Sequence, residues 1–405
     1  MLRQFVGVHS PKLKSLKLLY SLIRKLGPIK VSTLTELTGY KHTTCVRLLD
    51  ELVQAGLIID SGLGVSSGGR KPVMYVVNPT SNYIIGVEIT NLYTTVLLLD
   101  LHLNILETKK LKMDQGSTGE FTLNFVTNCV DQLLVQNDIS REKLLGIGIG
   151  LLDPIDSEKG TIINSDSFIA GGWEDLNIIN YLEKTNQCPV FINNGTNLAA
   201  LAEYRLKYGK ETDNIIFVSS DMSIRCGVVQ QGRLLSHKNE MDDAFGHMII
   251  DVHGQRCSCG SYGCLQAYSS LPAIREEVIK RIKRGESSHL QDCVEDIEDI
   301  SLHQTLDALE QEDRLSLEVL KDAAYYFGIG LANLIFLLRP DIVICGGTLV
   351  PKPFFFDIAS DIARSRMKHY PNSPIQIVKS TTAYNIVAQG AGCMVIDFYT
   401  EESFS

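Results

Sequence analysis

The sequence contains no uninterrupted apolar run that approaches the ~20 residues of a membrane-spanning helix, so membrane insertion is not expected. Its N-terminus lacks the apolar core of a signal peptide, and we therefore expect a cytoplasmic protein whose cysteines stay reduced. It has no repeat at a solenoid period and no low-complexity tract, which excludes a repeat architecture. The composition, 44% hydrophobic and 21% charged, is that of ordinary globular material.

Length and charge indicate more than one domain. Most domains hold roughly 100 to 200 residues, so two or three are expected in a chain of 405 residues. Residues 1–80 contain eleven Lys or Arg and four Asp or Glu, which gives a net charge of +7. Residues 81–405 contain 27 Lys or Arg and 43 Asp or Glu, which gives a net charge of −16. Because neutralised phosphates supply much of the affinity for nucleic acid, only the N-terminal module is expected to meet a polyanion.

Cysteine is plentiful, and three of the ten cysteines follow a histidine closely in the order H-x9-C-x-C-x4-C: His247, Cys257, Cys259 and Cys264. Thiolate sulfur and imidazole nitrogen suit a tetrahedral zinc ion, and four protein ligands leave no open position, so the pattern predicts structural Zn²⁺. The alternative is a chance grouping or a disulfide. A CxC pair is a poor disulfide partner to itself, and a reducing compartment disfavours the bond.

The first eighty residues have the pattern of a winged helix. Apolar spacing predicts helices over residues 15–26, 32–39 and 42–55, with Gly39-Tyr40-Lys41 as the turn of a helix-turn-helix. On the third helix, Val46, Leu49, Leu52 and Val53 are expected to face the core. Two predicted strands, 57–59 and 73–77, enclose a Gly- and Ser-rich loop that ends in Gly-Gly-Arg-Lys-Pro at residues 68–72.

A winged helix of this kind would read DNA with the start of its third helix and with its wing. The predicted contact residues are, for the major groove, Lys41, His42, Thr43, Thr44 and Arg47, and for phosphates or a narrow minor groove, Arg70 and Lys71. One such domain buries too little surface for operator-level affinity, so we expect a dimer on an inverted repeat. A winged helix that binds protein is the alternative, which the basic excess and the basic wing disfavour.

After residue 80, predicted strands alternate with helices. Strands are expected at 84–89, 94–101, 105–112, 145–151 and 190–192, and again at 215–219, 226–230, 233–235 and 342–344. Helical patterns lie at 121–134 and between 271 and 328. This order predicts α/β architecture with ligands at the carboxyl ends of the strands.

Two motifs resemble the ROK family, which contains sugar kinases and sugar-responsive repressors. Gly246-His247 followed by CxCGxxGC, Leu265, Gln266 and Ala267 is similar to the family's zinc motif. The Gly-Gly-Arg wing before a strand ending in Asn78-Pro79 resembles the N-terminal domain of ROK repressors, which ROK kinases lack. The resemblance covers residues 16–398 and implies a winged helix-turn-helix followed by a two-lobed actin-like ATPase body. The implied domains are 1–80, 81–193 with 383–405, and 194–382, the last with the zinc site and a dimerisation surface.

The resemblance also implies that the kinase chemistry is lost. The kinases' Asp-x-Gly-Gly-Thr phosphate turn corresponds to residues 88–92, where Thr90 and Asn91 replace the glycines and would obstruct the approach of phosphate. Their Gly-Thr-Gly turn corresponds to residues 221–223, where the carboxylate of Asp221 would repel ATP. Their catalytic Asp corresponds to Asn194, whose amide cannot accept a proton. No catalytic residue is therefore expected.

The family's sugar contacts are altered as well. They correspond to Asn193, Asn194, Ala244, His247 and Gln266, so two carboxylates have become amides and one is missing. Asn193, Asn194, His247 and Gln266 remain candidate contacts for a changed ligand or a sugar derivative. The alternative is a cleft that binds nothing and serves only as a dimerising body.

These observations predict a DNA-binding transcriptional regulator, expected to be a repressor, of genes for carbohydrate uptake or metabolism. We expect it to act as a homodimer or a dimer of dimers. Two other functions stay open at this stage: an ATP-dependent sugar kinase with an appended DNA-binding domain, and a regulator controlled by a protein partner instead of a sugar.

Overall fold

The structure is a computed structural model that describes residues 1–7, 10–63, 72–151, 154–163, 165, 168–174, 176–235, 244–369, 375–381 and 385–400. By its internal contacts the chain forms two compact units. The first comprises Met1–Glu211 with Asn385–Ser405, and the second comprises Thr212–Tyr384. Within the described residues, no helix is both long enough and apolar enough to cross a bilayer.

The helices, in chain order, are α1 (Pro11–Leu26), α2 (Val31–Thr38), α3 (His42–Gln54), α4 (Gly119–Gln136), α5 (Ile178–Asn186), α6 (Gly195–Glu203), α7 (Gln266–Ser269), α8 (Leu271–Lys283), α9 (Leu302–Glu310), α10 (Arg314–Leu338), α11 (Phe355–Arg366) and α12 (Ile386–Thr400). The strands are β1 (Ile29–Lys30), β2 (Ile58–Leu63), β3 (Val73–Val77), β4 (Tyr83–Ile89), β5 (Tyr93–Asp100), β6 (Ile105–Lys112), β7 (Leu144–Leu151), β8 (Ile155–Asp156), β9 (Thr161–Ile162), β10 (Val190–Asn194), β11 (Ile215–Ser220), β12 (Ile224–Gln230), β13 (Arg233–Leu234), β14 (Ile342–Gly346) and β15 (Gln376–Lys379).

The N-terminal part of the first unit is a winged helix. Its three-stranded sheet has the order β1-β3-β2 and includes the two-residue strand β1, which the sequence pattern did not predict. Gly39 ends α2 in the left-handed conformation, with φ of 70°, a conformation that glycine adopts without a side-chain clash. The predicted helix-turn-helix therefore forms at the expected turn.

The buried face of α3 differs from the predicted one. Leu49 and Leu52 are buried as expected, but Val53 is 41% exposed and Val46 is only half-buried. The other buried positions are Cys45 and Leu48. Residues 45, 48, 49 and 52 follow the i, i+3, i+4, i+7 spacing of one helical face, so Cys45, which packs as a small apolar residue, and Leu48 take the places predicted for Val46 and Val53.

The rest of the first unit is built on a five-stranded sheet in the order β10-β7-β4-β5-β6. Strands β10, β7 and β4 run parallel, whereas β5 and β6 are antiparallel to their neighbours. One face of this sheet packs directly against α12. A Cβ on Gly148 of β7 would lie 2.1 Å from the carbonyl oxygen of Ala391, so the absence of a side chain there permits the close approach.

Helix α6 belongs to this unit because it packs on the same C-terminal helix. A Cβ on Gly390 of α12 would lie 1.9 Å from the carbonyl oxygen of Leu198 in α6. A π-helical turn, Tyr204–Tyr208, continues α6. The boundary between the compact units consequently falls after Glu211, some way beyond residue 193, where the sequence places the end of the first lobe.

The second unit repeats the α/β theme. Its sheet has the order β13-β12-β11-β14-β15, and β11, β14 and β15 run parallel. The core lies between this sheet and the long helix α10, with Val218, Val343, Phe327 and Leu331 all buried. The carboxyl ends of β11 and β14 thus lie side by side at one edge of the sheet.

A buried ion-pair triad connects the winged helix to the C-terminal helix within the first unit. Arg24 of α1 donates from Nη2 to Oδ1 of Asp397 in α12 at 2.6 Å. Arg205 of the π-helical turn donates to Oδ2 of Asp397 from Nε at 3.0 Å and from Nη2 at 2.8 Å. The Asp397 side chain is 2% exposed. Ser21 adds a hydrogen bond from Oγ to the carbonyl oxygen of Thr400 at 2.7 Å.

We predict that Asp397→Ala lowers the free energy of unfolding by about 3 kcal/mol, because it leaves two largely buried guanidinium groups, each 13% exposed, without their counter-charge. The matched control is Asp131→Ala, which removes the partner of Arg141 at an exposed ion pair and should cost at most about 1 kcal/mol. Urea unfolding of both variants measures the difference. Equal unfolding midpoints for the two variants would contradict the stabilising role of the triad.

Candidate functional site

The four predicted metal ligands lie together in the second unit. The ligand atoms of His247, Cys257, Cys259 and Cys264 all lie within 4.8 Å of one another. Cys257 Sγ is 3.6 Å from His247 Nδ1, and Cys259 Sγ is 3.8 Å from Cys264 Sγ. With zinc bond lengths of about 2.3 Å to sulfur and about 2.05 Å to nitrogen, a tetrahedron has edges of about 3.6 and 3.8 Å. These four side chains could therefore hold one metal ion.

The loop that carries the ligands is shaped by backbone hydrogen bonds and by glycine. The amide of Cys257 donates to the carbonyl oxygen of Ser261 at 2.8 Å. The amide of Gly263 donates to the carbonyl oxygen of Gln255 at 2.7 Å. Gly263 has φ of 72°, and a Cβ there would lie 1.6 Å from the carbonyl oxygen of Asp251. Only glycine fits this position, where the chain turns between the second and third cysteines.

The thiols of the cluster differ in acidity. Burial, together with the neighbouring thiols, raises the pKa of Cys264 to about 12, whereas the backbone amide of Ser261 chiefly lowers the pKa of Cys259. A thiol with the pKa of Cys264 keeps its proton at neutral pH unless a cation takes its place. Metal binding to this cluster would accordingly release protons and strengthen as pH rises.

The predicted DNA-reading residues of α3 lie at its exposed start. Lys41 immediately precedes the helix, and Lys41, His42, Thr43 and Arg47 are exposed while Thr44 is half-buried. Thr43 and Arg47 are four residues apart and share a helical face. The two predicted wing residues, Arg70 and Lys71, lie outside the described residues.

The turn at residues 88–92 is closed by its own side chain. Thr90 Oγ1 donates to the carbonyl oxygen of Tyr93 at 2.9 Å and accepts hydrogen bonds from the amides of Leu92 and Tyr93 at 3.2 and 3.0 Å. The amides at this point of the β4–β5 connection are thus occupied by the threonine hydroxyl. Sequence reasoning noted the missing glycines but not this closure, for which the only signal is a threonine at the first turn position.

Asn193 and Asn194, at the end of β10, lie together in the first unit and serve local structure. Asn194 is buried and caps α6, because its Oδ1 accepts from the amide of Thr196 at 2.9 Å. Asn193 Oδ1 accepts from the amide of Asn194 at 2.7 Å and from Nδ2 of Asn197 at 3.1 Å. Asn193 is half-buried and is the more accessible of the pair.

Gln266 and Asp221 organise the corresponding edge of the second unit. The side chain of Gln266 accepts from the amide of Ile224 at 2.7 Å and donates to the carbonyl oxygen of Met222 at 3.2 Å. Asp221 Oδ1 accepts from Thr348 Oγ1 at 2.8 Å and from the amide of Met222 at 3.1 Å. Burial raises the pKa of Asp221, and these hydrogen bonds oppose that effect. The predicted ligand contacts thus divide between the units, with His247 and Gln266 in the second.

The turn after β14 completes this edge. Gly347 has φ of 94°, and a Cβ there would lie 2.5 Å from the carbonyl oxygen of Ser220. The next residue, Thr348, reaches Asp221 across 127 positions of sequence. No spacing signal marks this pair, so sequence reasoning could not find it.

Comparison with known proteins identifies the family. A sequence model described as the ROK family matches residues 84–397, more than half of the chain. The chain belongs to the ROK family. Its winged helix lies before the matched region.

ROK proteins of both kinds are similar to this chain. The xylose repressor of Bacillus subtilis (strain 168) is 27% identical over 386 residues, which cover 95% of each chain. The crystal structure of a ROK family transcriptional regulator, described as a homolog of the E. coli MLC protein, superposes with a TM-score of 0.78 at 24% identity and covers 96% of this chain and 97% of that one. A ROK hexokinase from Thermus thermophilus superposes with a TM-score of 0.65 at 21% identity. The superposition covers 77% of this chain and 97% of the hexokinase. These structures confirm the predicted fold, a winged helix and a ROK-kinase-like α/β body.

We predict that Cys257→Ser and Cys264→Ser each reduce the bound metal from about one ion per chain to almost none, since a closed four-ligand site loses most of its affinity with one ligand. Elemental analysis measures this, and amide hydrogen exchange should show faster exchange in residues 246–266. Cys293→Ser is the matched control, because Cys293 is an exposed cysteine outside the cluster. Wild-type protein without metal after metal-replete expression, or a Cys257→Ser protein that retains it, would contradict the site.

Proposed function

We propose that this ROK protein is a DNA-binding transcriptional repressor of carbohydrate uptake or metabolism genes and that it is not an enzyme. The observation that carries the proposal is the joining of a helix-turn-helix, whose reading face is exposed, to a ROK body in one chain. The similarity to a xylose repressor over 95% of both chains supports the same function.

DNA is bound by the winged helix in this proposal. Lys41, His42, Thr43, Thr44 and Arg47 enter the major groove from the start of α3, and Arg70 and Lys71 of the wing contact phosphates or the minor groove. The net charge of +7 on residues 1–80 supports this, because it opposes the −16 of the remaining chain. A homodimer, or a dimer of dimers, in the cytoplasm would present two such helices to an inverted-repeat operator.

In this proposal the chain does not transfer phosphoryl groups, because the groups that would do so are already hydrogen-bonded within each unit. Phosphate turns present backbone amides to the phosphate oxygens. Here the amides of Leu92 and Tyr93 already donate to Thr90 Oγ1. In the second unit, the carboxyl of Asp221 is held by Thr348 where the family's second phosphate turn lies. Asn194, at the position of the family's catalytic base, caps a helix instead.

The proposed effector is a sugar or a sugar derivative bound by Asn193, Asn194, His247 and Gln266. Asn194 and Gln266 already hydrogen-bond to backbone groups, so they would act mainly by holding the two edges in place. Asn193 is the candidate for a direct contact, since its amide is half-buried and adjoins the helix cap. Neutral groups would thus make most of the ligand contacts, whereas the family's kinases have three carboxylates at the corresponding positions.

The proposed metal is Zn²⁺ with a structural role. Three thiolates and one imidazole are donors that zinc prefers, and the distances of 3.6 Å between Cys257 and His247 and 3.8 Å between Cys259 and Cys264 agree with two edges of a zinc tetrahedron. The ion would hold the loop that precedes α7 and would orient His247 and, through α7, Gln266. Zinc would supply folding energy here and no chemistry.

We predict that Arg47→Ala weakens specific operator binding by about 1 to 3 kcal/mol, a loss of about 5- to 150-fold in affinity, because it removes one base or phosphate contact from each half-site. Fluorescence anisotropy with a DNA fragment from the gene's own upstream region measures this at fixed salt. Arg314→Ala is the control, since it removes an exposed cation from the second unit. Unchanged affinity of Arg47→Ala would show that α3 is not the reading helix.

We also predict no sugar-dependent release of ADP from ATP across a panel of pentoses, hexoses and N-acetylated hexosamines. A ROK hexokinase assayed in parallel confirms that the conditions support catalysis. Sugar-dependent ADP release that Asn194→Ala abolishes would contradict the proposal and assign a kinase to this chain.

A further inference from the structure

A second candidate binding site lies within the first unit, where the winged helix meets the sheet. A cavity of about 430 Å³ opens between the end of α1 with the following Gly27 and Pro28, the end of β3, the turn between β5 and β6, and the π-helical turn with the residues after it. This volume falls within the roughly 300 to 1,000 Å³ of small-molecule sites. None of the residues assigned to DNA, to the metal or to the sugar lines it.

The cavity is strongly cationic. Its lining includes five residues with a permanent positive charge, Arg24, Lys25, Arg205, Lys207 and Lys210, and no Asp or Glu among the described residues that line it. Asp397 lies behind the two arginines and supplies one negative charge to both, so the trio retains a net charge of +1. Three of the five cations, Arg205, Lys207 and Lys210, belong to the part of the chain whose net charge is −16, and the other two belong to residues 1–80. The cavity therefore favours an anion.

Another part of the cavity lining is apolar. It consists of Pro28, Val76, Val77, Leu101 and Leu103, and His102, between the two leucines, holds its Nε2 3.1 Å from the carbonyl oxygen of Val77. The described lining contains no carboxylate and no Asn or Gln to accept from the hydroxyls of a free sugar. The complementary ligand carries a phosphoryl group at one end and a flat or apolar body at the other.

We propose that this cavity binds a small phosphorylated metabolite with an apolar or planar body, of the nucleoside monophosphate class. Arginine and lysine recognise the phosphoryl oxygens through charge-assisted hydrogen bonds, and the apolar residues cover the base. A DNA phosphate is a poorer match, because a backbone phosphate that contacts the cations would leave the apolar residues of the cavity without a partner. The ligand would bridge α1 to the π-helical turn beside the Asp397 triad.

One consequence rests on the proposed function. Helix α1 packs against α3, and the triad ties α1 to α12, so a ligand at this junction would bias the position of the reading helix. Binding itself requires no DNA and can be measured without it. Failure of the cavity to bind a nucleotide and failure of the protein to bind an operator are therefore separate outcomes.

Calorimetric titration of the full chain with AMP, ribose 5-phosphate, adenosine and sodium sulfate, at constant ionic strength, tests the proposal. We expect AMP to bind at least about tenfold more tightly than sulfate, with ribose 5-phosphate weaker than AMP and adenosine weaker still. Lys207→Gln/Lys210→Gln should weaken AMP binding by about tenfold or more. Both lysines are exposed, so the fold should tolerate the change. The control variant Lys143→Gln/Lys184→Gln makes an equal charge change at exposed positions outside the cavity. It should leave the affinity for AMP unaltered.

Each contrary result overturns the proposal. If neither AMP nor ribose 5-phosphate binds more tightly than sulfate, the cavity is not a phosphate site. If adenosine binds as well as AMP, or if Lys207→Gln/Lys210→Gln binds AMP like the wild type, the nucleotide occupies another place. If wild-type protein shows no AMP binding and the double variant weakens DNA binding, these lysines contact DNA phosphates instead.

Discussion

The carboxylate of Asp397 is buried between two guanidinium groups, and a charge in that position is stable only while both partners are in place. Arg24 comes from the winged helix, Arg205 from the π-helical turn after α6, and Asp397 from the helix that covers the sheet. A π-helical turn often marks a functional position, and here it places Arg205 toward Asp397. This shared charge, together with the hydrogen bond from Ser21 to Thr400, therefore joins the winged helix to the C-terminal helix within the first unit.

Threonine hydroxyls hold both turns that correspond to the phosphate turns of ROK kinases. Thr90 closes one turn through its hydroxyl, and Thr348 holds Asp221 beside the other. A backbone amide that donates within its own turn has no hydrogen bond left for a phosphate oxygen. The proposed loss of phosphoryl transfer thus comes from groups that replace the nucleotide's interactions, and the ROK body keeps its architecture for another use.

Local patterns were predictable from the sequence and distant contacts were not. Strand β6 matched its predicted span of residues 105–112, because a short strand bounded by turns is a local signal. The metal ligands were found because they lie within eighteen residues. Asp397 and its partners are 192 and 373 positions apart, so no periodicity connects them. For Gln266 the residue was predictable but its bonds to Met222 and Ile224 were not, since they depend on how α7 meets β12.

The central claim is that this ROK chain recognises a specific DNA sequence as a symmetric oligomer. The most direct test is to incubate the purified full-length protein with sheared genomic DNA at moderate salt, recover the bound fragments and sequence them. We expect enrichment of a few fragments that share an inverted repeat, with half-site centres about one helical turn or a multiple of it apart. Recovery of fragments without a common motif, in proportion to their input abundance, would contradict it.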